Sequence, residues 1–249
     1  MKTPASAKWM PKQSNPSDPM PLTKHVPIGT DVMRAIGCLC ERDIVLLPTE
    51  NEYVLACNAL DKDAVERLLS FRSETEGMPV EILLPSAAKL NSYAKQVPES
   101  IAKMAGHFPP GRVTFLLPRK YAVSDRLTSG GDKVAFSVAS HPLALAVLDK
   151  FHFPLAVLRF SPHHTWESEQ GDYLDRMAGR IGYVLDGGAT VVGPGSTWVE
   201  MGDDCILVHR IGAVSREELE RVTGLPTLQQ LSPITRDESV LAVPSSKTV

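Results

Sequence analysis

The chain of 249 residues contains no apolar run approaching the roughly 18 residues that a bilayer-spanning helix needs, and no basic n-region followed by an apolar h-region opens it. A membrane partner is therefore not expected, and a cytoplasmic protein is. Cysteine is scarce: Cys38, Cys40, Cys57 and Cys205 stand at spacings that match no zinc pattern. Three of them sit among apolar residues, which predicts reduced, buried thiols and no structural metal. An excess of either charge is also lacking, since 26 Lys and Arg against 29 Asp and Glu leave a formal net charge of −3. That balance gives no global attraction to nucleic acid or anionic lipid and leaves room only for a local basic cleft. There is no G-x-x-x-x-G-K-[ST] stretch, which excludes an ordinary P-loop, and there is no internal repeat.

What is present is an apolar segment with a polar break in it. Ile44, Val45, Leu46 and Leu47 form a run too short for a helix and suited to a strand buried on both faces. Pro48 ends it, because proline has no N–H for a central ladder. Thr49, Glu50, Asn51 and Glu52 then place hydroxyl, carboxylate and amide groups at the carboxyl end of the strand, where open α/β sheets bind ligands. A second apolar segment, residues 53–57, follows at once.

Around this centre helices and strands mix along the length. Helices are predicted over residues 32–41, 61–71, 86–94, 98–107, 141–151, 172–178 and 215–224. The last carries a capping box, because Glu218 stands three residues after Ser215. Strands are predicted over 80–84, 113–117, 134–138, 154–160, 181–185 and 206–210, and a hairpin is predicted to join 190–192 to 196–201 around Gly193-Pro194-Gly195. Residues 1–28 read as a flexible Pro-rich arm, 29–225 as one domain, and 226–249 as a loose tail. The fold class is α/β, a twisted, largely mixed sheet with flanking helices and a concave cleft.

Several motifs now line up. Pro48-Thr49-Glu50-Asn51-Glu52-Tyr53-Val54-Leu55 is similar to PTETxYGL, and Asp61 to Arg67 to an A-x-x-x-A-V-x-R helix. Pro109-Pro110-Gly111-Arg112-Val113-Thr114 is similar to W-P-G-P-x-T, His141-Pro142 to a helix-opening His-Pro, and Leu185-Asp186-Gly187-Gly188 to LDGG. Gly195-Ser196-Thr197-Trp198-Val199 is similar to E-S-T-V-V, and Arg210-Ile211-Gly212 to R-x-G. In this order they resemble the YrdC-like family, the threonylcarbamoyl-AMP synthases, over about residues 29–224.

The resemblance implies L-threonine, bicarbonate and ATP as substrates, with magnesium as the counterion of ATP, and a product adenylate that feeds threonylcarbamoyladenosine formation in tRNA. It places Thr49, Glu50 and Thr114 around threonine and carbonate. Arg72, Ser196, Thr197 and Arg210 fall on the nucleotide and phosphate side, and Arg159 and Ser161 are candidates to rebuild a nucleotide contact in place of the family's Ser-x-Asn motif. The departures fall on the chemistry. The family's Lys-x-Arg pair reads Arg72-Ser73-Glu74, the arginine of its R-V-P-x-H-P strand reads Ser137, and its Ser-x-Asn motif falls in Leu158 to Ser161. The glutamate of E-S-T reads Gly195, and the glycine of YGL reads Val54.

Each candidate also has a plainer reading. Thr49 and Thr114 are either donors to substrate or strand-end threonines bonded to backbone. Ser196 and Thr197 either follow a phosphate-cradling turn or close an ordinary hairpin. Tyr53 reads as a core residue with its hydroxyl bonded. His163 and His164 read as surface imidazoles, with a metal site as the alternative. Three functions remain open: a threonylcarbamoyl-AMP synthase of altered substrate; a non-catalytic nucleotide- or anion-binding protein; and a module for tRNA or double-stranded RNA, using Arg112, Arg119, Lys120, Arg126 and Lys133.

Overall fold

The computed structural model describes residues 26–50, 52–72, 79–128, 131–159, 177–190 and 193–230. The apolar run at Ile44 becomes β2 (Val45–Pro48), buried at every position, and it folds back antiparallel on β3 (Tyr53–Asn58) with Pro48 opposite Tyr53. The other strands are β1 (Ile28–Gly29), β4 (Glu81–Leu84), β5 (Val113–Pro118), β6 (Lys133–Val138), β7 (Leu155–Arg159), β8 (Tyr183–Leu185), β9 (Thr197–Met201), β10 (Ile206–Arg210) and β11 (Thr227–Gln229). They form one sheet in the order β1-β8-β2-β3-β7-β4-β6-β5-β9-β10-β11, with parallel and antiparallel neighbours mixed. The helices are α1 (Val32–Cys40), α2 (Lys62–Leu69), α3 (Leu90–Tyr93), α4 (Glu99–His107), α5 (Pro142–Phe151) and α6 (Arg216–Thr223). Among the described residues, no helix is long and apolar enough to cross a membrane.

Local chemistry starts these helices. The Asp31 carboxylate accepts from the Met33 and Arg34 N–H groups at α1, and Asp61 does the same for Asp63 and Ala64 at α2. The capping box at Ser215 and Glu218 is complete at α6. Strand alternation then divides the core. Leu46, Leu55, Ile82, Phe115, Phe136 and Leu158 point to the face packed by α2, α3, α4 and α6. Val45, Leu47, Val54, Ala56, Leu83, Leu155 and Val157 point the other way, under α1 and α5. Burying each Val, Leu, Ile or Phe side chain among them contributes about 1.5–3 kcal/mol. Farther along this second face, where alternation from β4 to β9 predicts more apolar residues, stand Glu81, Ser137 and Thr114, and then Leu116, Ala135 and Trp198.

Several expectations are corrected. Strand β9 does not pair with residue 190; it lies parallel to β5 and forms its antiparallel turn with β10. Residues 191 and 192 lie outside the described residues. Thr227 to Gln229, read as part of a loose tail, pair in parallel with β10 because the Glu220 carboxylate and Arg216 guanidinium grip Thr227. Ile28 and Gly29, at the end of the expected arm, pair with β8. Residues 86–94 form a 3-10 turn followed by the short α3. Of the four cysteines, all are free thiols, but only Cys57 is fully buried, and Cys40 is exposed. The rest of the arm, most of the helix expected over 172–178, His163 and His164 lie outside the described residues.

Candidate functional site

The site begins where β2 ends. The Thr49 N–H and hydroxyl both donate to the Glu52 carbonyl, at 2.8 and 2.7 Å, which closes a tight turn into β3. The backbone reading of Thr49 therefore holds for its hydroxyl. Glu50 reaches across to α5. One of its carboxylate oxygens accepts from the N–H and hydroxyl of Ser140 and, at 2.9 Å, from the His141 N–H. These donors lie at the helix start, where N–H groups lack helical partners and negative charge is favoured. Gly111 permits this approach: its φ is +81°, and a Cβ there would lie 3.0 Å from the Glu50 carboxyl carbon. Glu50 is thus a positioning residue that ties the turn to α5. His141 is held below the ordinary imidazole range by burial, an effect partly offset by the Glu50 charge.

Next to the turn lies a cluster that strands β4, β5, β7, β9 and β10 bring together. Glu81 is 2 % exposed, in the middle of a sheet. It accepts from Arg159 Nε at 2.6 Å and from the Thr114 hydroxyl at 3.2 Å. Arg159 Nη1 also pairs with Glu52 at 2.8 Å, and its Nη2 reaches the Ser196 hydroxyl at 3.3 Å. Thr114 and Ser196 share a hydrogen bond of 2.7 Å. Arg210 donates to the Ser196 carbonyl at 3.0 Å and to its hydroxyl at 3.3 Å, with its guanidinium over the Trp198 ring. Gly195 leaves the space for both arginines, since a Cβ there would lie 3.1 Å from Arg210 Nη2 and 3.3 Å from Arg159 Nη1.

Burial and neighbouring charges set the electrostatics. Burial raises the Glu52 carboxyl, Arg159 opposes the shift, Glu81 adds to it, and the net direction is up. Burial alone would make Arg159 easier to deprotonate, but Glu81 and Glu52 outweigh it and hold the guanidinium charged. Arg210 is lowered by burial and then by the positive charge of Arg159. No carboxylate among the described residues pairs with Arg210. The lining thus carries three carboxylates, Glu50, Glu52 and Glu81, against the guanidinium of Arg159, with Arg210 bonded to the lining residue Ser196.

A cavity of about 30 Å³ is lined by Thr49, Glu50, Glu52, Glu81, Ser137, Arg159 and Ser196, among others. That is room for a water or two as the side chains now stand. Gly111 and Val138 also border a second chamber of about 150 Å³, lined mainly by Met104, Ala105, Phe108, Pro109, Phe115 and neighbouring prolines.

Most of the expected residues meet here: Thr49, Glu50, Thr114, Arg159, Ser196 and Arg210. Thr197 does not. It is fully buried, donates to the Val214 carbonyl at 2.7 Å and accepts from the Gly212 and Val214 N–H groups, so it braces the turn after β10 rather than touching a nucleotide. Arg72 follows α2 on the other side of the sheet and does not line the cavity. Ser161 lies outside the described residues. Four of the basic residues considered for RNA are held by the protein itself: Arg119 by the Val123 carbonyl, Lys120 by that of Asn91, Arg126 by Glu66 and Lys133 by Glu200. Glu52 and Glu81 are the cavity-lining residues that sequence reasoning undervalued. The signal for Glu81 was a single charge inside Val80-Glu81-Ile82-Leu83-Leu84, because a carboxylate on a buried strand requires a partner.

Comparison with known proteins points in one direction. The Sua5/YciO/YrdC family model, described as telomere recombination, matches residues 38–212. A threonylcarbamoyl-AMP synthase of Bacillus subtilis is 32% identical over 198 residues, which are 78% of this chain and 56% of that protein. One from Pyrococcus abyssi is 31% identical over 199 residues, 76% of this chain and 56% of that protein. The chain thus spans little more than half the length of these relatives. A crystal structure of P. abyssi Sua5 complexed with L-threonine superposes with a TM-score of 0.68 at 29% identity, covering 79% of this chain and 58% of that one. Escherichia coli YciO has the same fold, with a TM-score of 0.65 at 22% identity over 78% of this chain and 98% of that one.

Proposed function

The chain belongs to the Sua5/YciO/YrdC family, and from that premise we propose that it is a nucleotidyltransferase of the threonylcarbamoyl-AMP synthase class. Its substrates are L-threonine or a close amino acid, bicarbonate and ATP, and its product serves tRNA modification. The observation that carries this reading is the hydrogen-bonded cluster of Thr114, Ser196, Arg159 and Arg210 from separate strands, whose members Arg159 and Ser196 line the cleft beside the turn at Thr49. The threonine complex of the P. abyssi relative supports an amino acid as the first ligand.

In this reaction the amine of the amino acid captures bicarbonate, and water leaves as the carbamate forms. A carbamate oxygen then attacks the α-phosphorus of ATP, and pyrophosphate departs. The protein contributes position and charge. Arg210, which lacks a carboxylate partner among the described residues, meets developing negative charge. The Thr114 and Ser196 hydroxyls orient the acceptor. Glu50 holds the turn against α5 so that these groups keep their spacing. Among the described residues no trio of His, Cys, Asp or Glu is arranged to hold a metal, and Glu50, Glu52 and Glu81 are already engaged by other donors. Magnesium would thus enter as the counterion of ATP.

One observation favours a second reading, ligand binding without turnover. Arg159 is neutralised by two carboxylates, and Ser137 stands where the family has an arginine. Release of pyrophosphate that requires amino acid, bicarbonate and ATP together is the expected result for the enzyme. Saturable threonine or ATP binding by calorimetry, with no pyrophosphate released, is the outcome for the binding protein. Neither binding nor release sinks both.

A further inference from the structure

The two guanidiniums of the cleft are close together, and only one of them is neutralised. Arg159 Nη2 and Arg210 Nη2 each lie 3.3 Å from the same hydroxyl, that of Ser196. Arg159 Nη1 and Arg210 Nη2 both lie within 3.3 Å of the point that a Cβ on Gly195 would occupy. Two like charges at such range repel unless an anion sits with them. Glu81 is buried behind Arg159, bonded to its Nε and to Thr114, and its charge acts on Arg210 without touching it. The carboxylate on the open side is Glu52, on Arg159 Nη1 at 2.8 Å. Glu52 differs from Glu81 in its mounting. It rides on the turn at Thr49, is 22% exposed where Glu81 is 2% exposed, and lines the cavity. A side chain so placed can swing out without leaving a buried charge behind.

We propose that Glu52, paired with Arg159, caps an oxyanion seat that Arg159, Arg210 and Ser196 would form, and that a ligand oxyanion, phosphoryl or carboxylate, must displace it to bind. The proposal rests on the anion-binding half of the function above and adds the residue that sets its affinity. It accounts for the small volume of the cavity, because the seat is capped by the protein's own carboxylate. It also gives Gly195 a role: any side chain there presses on both guanidiniums, and a carboxylate there would fill the seat permanently. The seat tightens when Glu52 loses its charge. The groups that face Glu52 are Arg159, Glu81, Arg210 and Glu50, and burial with the Glu81 charge favours its neutral form while Arg159 opposes it.

The test is calorimetric titration of the full chain with inorganic pyrophosphate and, separately, with L-threonine, comparing wild type with Glu52→Gln, Glu52→Ala and Gly195→Glu. Removing a competing carboxylate at ion-pair distance is expected to tighten oxyanion binding by about tenfold or more. Gly195→Glu is expected to abolish it. Tightening for pyrophosphate assigns the seat to a phosphoryl group, and tightening for threonine alone assigns it to a carboxylate. Either result upholds the displacement. Sulfate, whose charge is constant between pH 5 and 8, is expected to bind wild type more tightly as pH falls, and this trend should vanish in Glu52→Gln. Unchanged or weaker binding in both Glu52 variants, with circular dichroism showing them folded, overturns the proposal, as does absence of oxyanion binding in wild type and variants alike. Pyrophosphate release from threonine, bicarbonate and ATP is a separate measurement, so failure of the synthase reading leaves the response to Glu52→Gln interpretable.

Discussion

Replacing Arg159 with methionine is the most informative single perturbation of this sheet. The guanidinium is 15% exposed, and its principal partner Glu81 is 2% exposed, so neither charge can be rehydrated in place. Without Arg159, Glu81 keeps only the Thr114 hydroxyl at 3.2 Å among its side-chain partners. Breaking a buried pair by removing one member costs about 3–5 kcal/mol, because the remaining charge stays desolvated. Against a total stability of about 5–15 kcal/mol this is a large loss. At about 2–4 °C per kcal/mol, it is a fall in Tm on the order of 10 °C. The reverse change, Glu81→Leu, is expected to cost less, because Arg159 retains Glu52 at 2.8 Å and Ser196. The double variant Arg159→Met/Glu81→Leu removes both charges and is expected to lie within about 2 kcal/mol of wild type. Urea unfolding followed by far-ultraviolet circular dichroism gives all three values. Additive costs, or a loss below about 1 kcal/mol for Arg159→Met, would show that the pair is solvated and that the cluster does not organise the cleft.

Three further outcomes follow from single positions. Burial, with Asp186 adding to it against the Gly187 N–H bond, pushes the Tyr53 phenol up to about 12; the folded state holds this proton more tightly than the unfolded chain, so stability is present below about pH 10 and is lost between there and about pH 12. Alkaline unfolding is expected to lose part of this dependence in Tyr53→Phe. Gly111→Ala sets a side chain at φ +81° with its Cβ 3.0 Å from the Glu50 carboxyl, which is expected to cost about 1–2 kcal/mol in thermal melts and to weaken threonine binding. Gly212→Ala would place a Cβ 2.0 Å from the Gly195 carbonyl oxygen, an overlap that forces the segment before α6 away from Ser196, so loss of oxyanion binding is expected even where the fold survives on circular dichroism.

Where sequence was legible depends on what each residue was asked to report. Burial on both faces is a matter of composition, so Ile44 to Leu47 announced a central strand, and Asp31, Asp61 and Ser215 announced helix starts through chemistry confined to three or four neighbouring residues. The strand Thr227–Gln229 was hidden because its stability comes from Glu220 and Arg216, which lie on the preceding helix. Thr197 was misread for a related reason. Its neighbour Ser196 faces the cleft, and alternation along β9 turns Thr197 to the opposite side, onto Val214. The Glu81–Arg159 pair joins residues far apart in the chain on adjacent antiparallel strands. Each was visible only as one charge among apolar neighbours, and only the sheet order makes them partners.

The cleft's departures from the family pattern form a linked set rather than a scatter of losses. An arginine at position 159, within the stretch where the resemblance puts the Ser-x-Asn motif, requires a buried counter-charge, and Glu81 supplies it from the next strand. Two guanidiniums meeting over Ser196 require a residue without a side chain beneath them, and Gly195 stands there in place of glutamate. The carboxylate absent from position 195 is replaced on the open side by Glu52, carried on a turn whose geometry Thr49 fixes. Remove any one and the others become less favourable: Glu81 alone is an unpaired buried charge, Arg159 over a larger residue at 195 is crowded, and without Glu52 the two arginines share the charge of Glu81 alone. Pro48, Gly111 and Gly212, which match the motifs of the resemblance, hold the chain's path: Pro48 ends β2 opposite Tyr53, Gly111 takes φ +81°, and a Cβ on Gly212 would overlap the Gly195 carbonyl. Charge in the cleft is arranged with one cation left without a paired carboxylate and one carboxylate carried on a partly exposed turn, and that is the composition of a site whose affinity is set by competition.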